Sequence, residues 1–166
     1  MKKIKIYLDT NTIIDFFINQ SKAMRKKEDF KMPKKLEFFI DNLDKLEFVT
    51  SFLTKTEVMR ELVAGHGIKK HEVENMWNDF LKLLSCDYVK SFSFDENLVN
   101  IAGDLKLELR TLMNFQHLFI AMSIDSHIVT GDKDLIKKVR QNKIYDKVLS
   151  YVELRELISS PSFQDS

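Results

Sequence analysis

The chain has 166 residues, 44% of them apolar and 31% charged, and its 26 Lys plus Arg against 25 Asp plus Glu leave a formal net charge of +1. That balance excludes a uniformly basic nucleic-acid wrapper and an acidic disordered tail. At this length the chain reads as one domain able to bury about 70% of its unfolded surface, and 4 Gly and 2 Pro are too few for the many hairpins of a β-sandwich or barrel.

In chain order, Ile4 to Leu8 reads as a buried strand ending at Asp9, and Ile13, Ile14, Phe16 and Phe17 form the apolar side of a helix. Leu36, Phe39, Ile40 and Leu43 make a second helix, followed by a strand around Phe48 and Val49. Thr54 to Ala64 is helical, with Gly65 and Gly67 as its stop. Val73, Met76, Trp77, Phe80, Leu81 and Leu84 recur at helical spacing, and Cys86 to Val89 is a connection or a strand. Leu98, Ile101, Ala102, Leu105 and Leu109 mark another helix, and Leu118 to Ile124 one that is apolar on most sides. Ile128 and Val129 form a strand, Asp132 to Val139 a helix, and Val148 and Leu149 a last strand before a C-terminal helix. Strands alternating with helices predict an α/β architecture with a mostly parallel sheet, in a single domain over residues 1–158 with a frayed tail at 159–166.

A single cysteine, Cys86, excludes an intramolecular disulfide and a Cys-based zinc cluster. The four histidines, His66, His71, His117 and His127, show no metal-binding spacing. The opening residues are basic and then apolar, as in a signal peptide, but Asp9 and Asp15 interrupt the run and no small-residue cleavage site follows. No stretch approaches the ~20 apolar residues that span a bilayer, so a soluble, cytoplasmic protein with no membrane partner is expected.

Ligands of open parallel sheets bind beyond the carboxyl ends of the strands. The residues just past two strands, Asp9-Thr10-Asn11 and Thr130-Gly131-Asp132-Lys133-Asp134, both carry carboxylates. Carboxylates gathered without balancing cations repel, and a hard divalent ion is the usual remedy. Each acid also has a structural reading. Asp9 and Asp132 are placed to cap helices, and Thr54-Lys55-Thr56-Glu57 fits a T-x-x-E capping box.

Taken together, three blocks resemble the PIN-domain nucleases: Ile6-Tyr-Leu-Asp9-Thr-Asn11 at the start, Thr54-Lys-Thr-Glu57-Val-Met-Arg-Glu-Leu62 about a third of the way along, and Asn114-Phe-Gln-His117-Leu-Phe-Ile-Ala121 running on to Ile128-Val-Thr130-Gly-Asp132-Lys-Asp134. The family includes the toxin ribonucleases of VapBC toxin–antitoxin pairs. The resemblance covers the chain to about Tyr151. It implies a three-layer α/β/α sandwich, Mg²⁺- or Mn²⁺-dependent RNA cleavage leaving a 5′-phosphate and a 3′-hydroxyl, an antitoxin protein as partner, and homodimers.

By the same resemblance the first family acid falls on Asp9, the second on Glu57 and the fourth on Asp132, as catalytic and metal-binding residues. Asn11, Thr130 and Asp134 fall on supporting positions. The third acid falls on Asn114, which offers a carbonyl oxygen to a cation or its water but no charge, weakening the site, above all for a second ion. Asp104, a helix earlier, is either a substitute or a solvent-facing acid.

Residues 21–35 form a basic loop or insertion with seven basic and two acidic side chains, so the rest of the chain sums to −4. Lys22, Arg25, Lys26, Lys27 and Lys31 are candidate RNA phosphate contacts, and Phe30 or Met32 candidate base contacts. The other reading is a solvated, mobile loop. Lys133, Lys137, Lys138, Arg140, Lys143 and Lys147 paint one exposed face, and His117, among apolar neighbours, reads as a buried hydrogen-bonded imidazole. Three functions follow: a metal-dependent ribonuclease, a non-catalytic PIN-fold module binding RNA or protein, and a haloacid-dehalogenase-type phosphotransferase. The last needs a second carboxylate where Asn11 stands.

Overall fold

The computed structural model describes residues 3–91, 96, 100–101 and 109–160, with the side chains of residues 109–114 left aside. The helix expected through Leu98 and Leu105, with Asp104, the side chain of Asn114 and the tail at 161–166 lie outside the described residues.

Five strands, β1 (Ile4–Leu8), β2 (Leu46–Ser51), β3 (Asp87–Val89), β4 (His127–Val129) and β5 (Val148–Leu149), form one sheet in the order β3-β2-β1-β4-β5. All four pairings are parallel, with Ile6 opposite Phe48 on one side and His127 on the other. A parallel sheet must have both faces covered, and alternation along the strands supplies two cores. Ile6, Leu8 and Val129 point into one with Phe17, Trp77, Phe80 and Leu154. Tyr7, Ile128 and Val148 point into the other with Phe115, Leu118, Ile120 and Val139. The first is covered by α1 (Thr10–Lys26), α2 (Lys34–Asp41), α3 (Phe52–Arg60), α4 (Lys70–Leu83) and α7 (Tyr151–Ser159), and the second by α5 (Leu109–Ser123) and α6 (Lys133–Gln141). The result is the expected α/β/α sandwich.

Two boundaries differ from the sequence expectation. Residues 21–26 are the last turns of α1 rather than a loop, because Ser21 is buried with its hydroxyl on the Ile18 carbonyl and no Gly or Pro interrupts the helix before Lys27 closes it at φ 53°. Phe30 and Met32, in the connection to α2, pack on the core instead of standing out for a base, with Phe30 edge-on to Phe16 at 5.4 Å. Helix α3 begins at Phe52, capped by Ser51, so Thr54 lies inside it and the T-x-x-E box does not form. The helix then widens into one π turn, Glu61–Gly65, before Gly67 turns the chain at φ 63°.

Strand order reverses at β1: β2 and β3 lie on one side, β4 and β5 on the other. The crevice above the carboxyl ends of β1 and its neighbours is therefore where a ligand is expected.

Candidate active site

A cavity of about 320 Å³ opens at that crevice, lined by Asp9, Thr10, Asn11, Ile14, Ile18, Glu57, Arg60, Glu61 and His117. Three segments far apart in the chain build it: the turn from β1 into α1, the α3 helix with the start of the π turn, and α5.

Asp9 takes both of its sequence roles. It is the N-cap of α1, in extended backbone, and its Oδ1 accepts the Thr12 amide at 2.8 Å. The Thr12 hydroxyl lies 2.6 Å from that same Oδ1 and 2.6 Å from the Val129 carbonyl, tying the carboxylate to the end of β4. Both interactions fall on Oδ1, and Oδ2 has no hydrogen-bond partner among the described residues.

Glu57 is arranged in parallel fashion. Its Oε2 receives the Thr10 hydroxyl and lies 2.8 Å from His117 Nε2, while Oε1 has no hydrogen-bond partner among the described residues. Burial pushes this carboxyl up, but the hydrogen bond with His117, the Thr10 hydroxyl and the Arg60 charge outweigh it and hold Glu57 below its ordinary value. His117 is 4% exposed and its Nδ1 lies 2.8 Å from the Tyr7 hydroxyl, which also meets Ser51 Oγ at 2.7 Å and Thr54 Oγ1 at 3.3 Å. Burial drives the Tyr7 phenol far above its usual range, so it stays a neutral hydroxyl.

Asp132 is placed differently. It caps α6, its Oδ1 accepting the Asp134 and Leu135 amides at 3.0 Å each, and it does not line the cavity. Thr130 is buried at the end of β4 and accepts the Asp132 amide on its hydroxyl at 3.2 Å, while Asp134 is exposed in the first turn of α6. Lys22, Arg25, Lys26, Lys27 and Lys31 are exposed, and none lines this cavity. Arg25 reaches the His66 carbonyl beside a separate cavity of about 280 Å³. In the second basic group, Arg140 pairs with Glu153 and Lys147 with Asp125, so that face is partly neutralised.

Among the described residues, no group of three or more His, Cys, Asp or Glu side chains is gathered to hold a metal ion. A hydrated Mg²⁺ or Mn²⁺ needs less than a full protein cage: one or two carboxylates, water and substrate phosphates suffice. Asp9 and Glu57, each with one oxygen committed and the other left over, fit that kind of site.

His117 is the buried, hydrogen-bonded imidazole that its apolar neighbours predicted, but its place with Tyr7 in this constellation was not read from the sequence. Within α5, His117 sits among Phe115, Leu118, Phe119 and Ile120, all buried, and nothing local distinguishes a core imidazole from one turned toward a carboxylate on another helix.

No family model matches the chain, and no curated protein matches it. A solved structure of VapBC-1 from nontypeable Haemophilus influenzae is similar in fold, at 15% sequence identity and a TM-score of 0.51. The match covers 90% of this chain and 99% of that one. The likeness extends over nearly all of both chains and agrees with the α/β/α sandwich expected from the sequence. No helix among the described residues is long and apolar enough to cross a membrane.

Proposed function

We propose that the chain is a divalent-metal-dependent endoribonuclease, acting with Mg²⁺ or Mn²⁺, and the toxin of a toxin–antitoxin pair. One observation carries the reading. Two carboxylates from different elements, Asp9 and Glu57, meet in a cavity at the sheet's switch point, each with one oxygen fixed by the protein. The fold shared with VapBC-1 supports the antitoxin partner.

In this reading Asp9 and Glu57 hold the cation, and Thr130 and Asp132 secure the turn that follows β4. When bound, the ion supplies Lewis-acid stabilisation of charge building on the scissile phosphate. Asn11 and Arg60 line the cavity and serve a phosphodiester as a hydrogen-bond donor and a countercharge. The exposed Lys22, Arg25, Lys26, Lys27 and Lys31 extend the basic track for the RNA backbone beyond the cavity, so binding weakens steeply with salt.

Asp9→Asn tests this reading. Asn caps a helix as well as Asp does, so the variant is expected to fold with an unchanged circular dichroism spectrum and to lose Mn²⁺-dependent RNA cleavage. Equal cleavage by the variant and the parent would sink the assignment. A second reading, a PIN-fold module that binds RNA or protein without cleaving, is favoured by the absence of a third clustered ligand among the described residues. RNA binding with no Mn²⁺ uptake at millimolar metal would select it.

A further inference from the structure

Resting on the metal reading above, we propose that His117 is a positioning residue. Held between the Tyr7 hydroxyl at Nδ1 and the Glu57 carboxylate at Nε2, the imidazole is the Nε2–H tautomer, and that N–H aims Glu57 so that Oε2 is spent and Oε1 is presented to a cation.

The assignment follows from counting donors. A neutral imidazole has one N–H and one acceptor nitrogen. His117 Nε2 lies 2.8 Å from Glu57 Oε2, and an ionised carboxylate can only accept, so Nε2 carries the hydrogen. Nδ1 must then accept, and its partner at 2.8 Å is the Tyr7 hydroxyl. With its proton given to His117, Tyr7 Oη accepts in turn from Ser51 Oγ at 2.7 Å, while the Thr54 hydroxyl, 3.3 Å away, donates to the Leu8 carbonyl at 3.2 Å. The donors run in one direction: Ser51 to Tyr7 to His117 to Glu57.

Water does not compete for these bonds. Tyr7, Ser51 and Thr54 are fully buried and His117 is nearly so, and in such surroundings each bond is stronger and a missing partner costlier. Tyr7 and His117 also lie against each other, with ring centroids 5.8 Å apart. Both nitrogens of His117 are therefore committed to the protein. The imidazole is not a metal ligand, although it lines the cavity. It acts on the carboxylate, as outer partners of metal ligands do when they set the orientation and basicity of the group that touches the ion. Thr10, also on Oε2, is the second clamp.

The test combines tautomer and metal measurements. Long-range ¹H–¹⁵N spectra of the metal-free chain at neutral pH are expected to show His117 as the Nε2–H tautomer, with the unprotonated Nδ1 signal moving downfield in Tyr7→Phe, where its hydrogen-bond donor is gone. The Nδ1–H form, or an imidazolium protonated on both nitrogens, in the parent would overturn the relay. Calorimetric titration with Mn²⁺ alone is expected to show His117→Leu binding about 10- to 100-fold more weakly. His117→Gln, whose amide N–H reaches the place of Nε2, is expected to stay close to the parent. Unchanged Mn²⁺ affinity in His117→Leu would overturn the positioning role, as would failure of His117→Gln to restore it while circular dichroism shows a folded chain. Should His117→Leu fail to fold, Tyr7→Phe and His117→Gln carry the comparison, and parent-like Mn²⁺ affinity in Tyr7→Phe, with the Nδ1 signal unmoved, would overturn the proposal. A parent that takes up no Mn²⁺ but shows the Nε2–H tautomer would instead overturn the metal reading beneath it.

Discussion

Thr12 shows how much a single hydroxyl can join. It sits one turn into α1, 7% exposed, against both the Asp9 carboxylate and the carbonyl that ends β4. A hydroxyl carries one proton, so Thr12→Val, which keeps the shape, takes a donor from one of these two buried acceptors, at a cost of about 1–3 kcal/mol. Urea denaturation is expected to report that loss. Because the Asp9 cap keeps its backbone bond from Thr12, α1 should still start at the same residue, which amide hydrogen exchange in its first turn can check. Asp9 was legible as a candidate from its place after a buried strand. Its partner was not, since Thr12 and Val129, 117 positions apart, meet only when β1 and β4 pair.

At the scale of elements, α7 is held by a network that responds to pH. Ser150 and Glu153 form a reciprocal capping box, and Arg140 on α6 bonds Glu153 and the Val148 carbonyl at 2.7 Å each. The Arg140 hydrogen bond, with help from the Ser150 amide, lowers Glu153 to about 2. A carboxyl lowered on folding stabilises the native state above its ordinary value of 4.5 and loses that contribution as pH falls toward about 2. Glu153→Gln should thus destabilise the chain at pH 6, by an amount limited by the solvent exposure of the pair, and the gap to the parent should shrink by pH 3 in matched urea titrations. The capping motif S-x-x-E was present in the sequence at Ser150, as T-x-x-E was at Thr54. One forms and the other does not, because Ser51 starts α3 a turn earlier and turns Glu57 toward the cavity. A motif of four residues carries no information about which turn the preceding strand ends on.

The whole molecule is held by an aromatic core on the α1 face of the sheet. Trp77 stacks on Phe17 at 5.8 Å, and Phe80 packs against both within 5.9 Å. Trp77→Ala should cost about 3–5 kcal/mol, a large share of the ~5–15 kcal/mol typical of a domain, and is expected to lower the urea midpoint sharply. Much of this architecture was legible. The order of strands and helices, the two-faced burial of β1 and the acids after β1 all follow from short apolar runs and their flanking residues. The placement of Asp132 outside the cavity lining and of His117 within it was not, because both depend on how α5 and α6 sit on the second face of the sheet.

The central place of β1 has a consequence for synthesis. Among the strands it is the first to leave the ribosome, yet it needs a neighbour on each side, and one of them, β4, begins at His127. A nascent chain that has released β1, β2 and α3 already carries Asp9 and Glu57 but has no imidazole to orient the glutamate and no β4 carbonyl for Thr12. On this topology the cavity is assembled last, from its earliest-made and its late-made residues. A chain arrested before α5 would carry both carboxylates and no finished site.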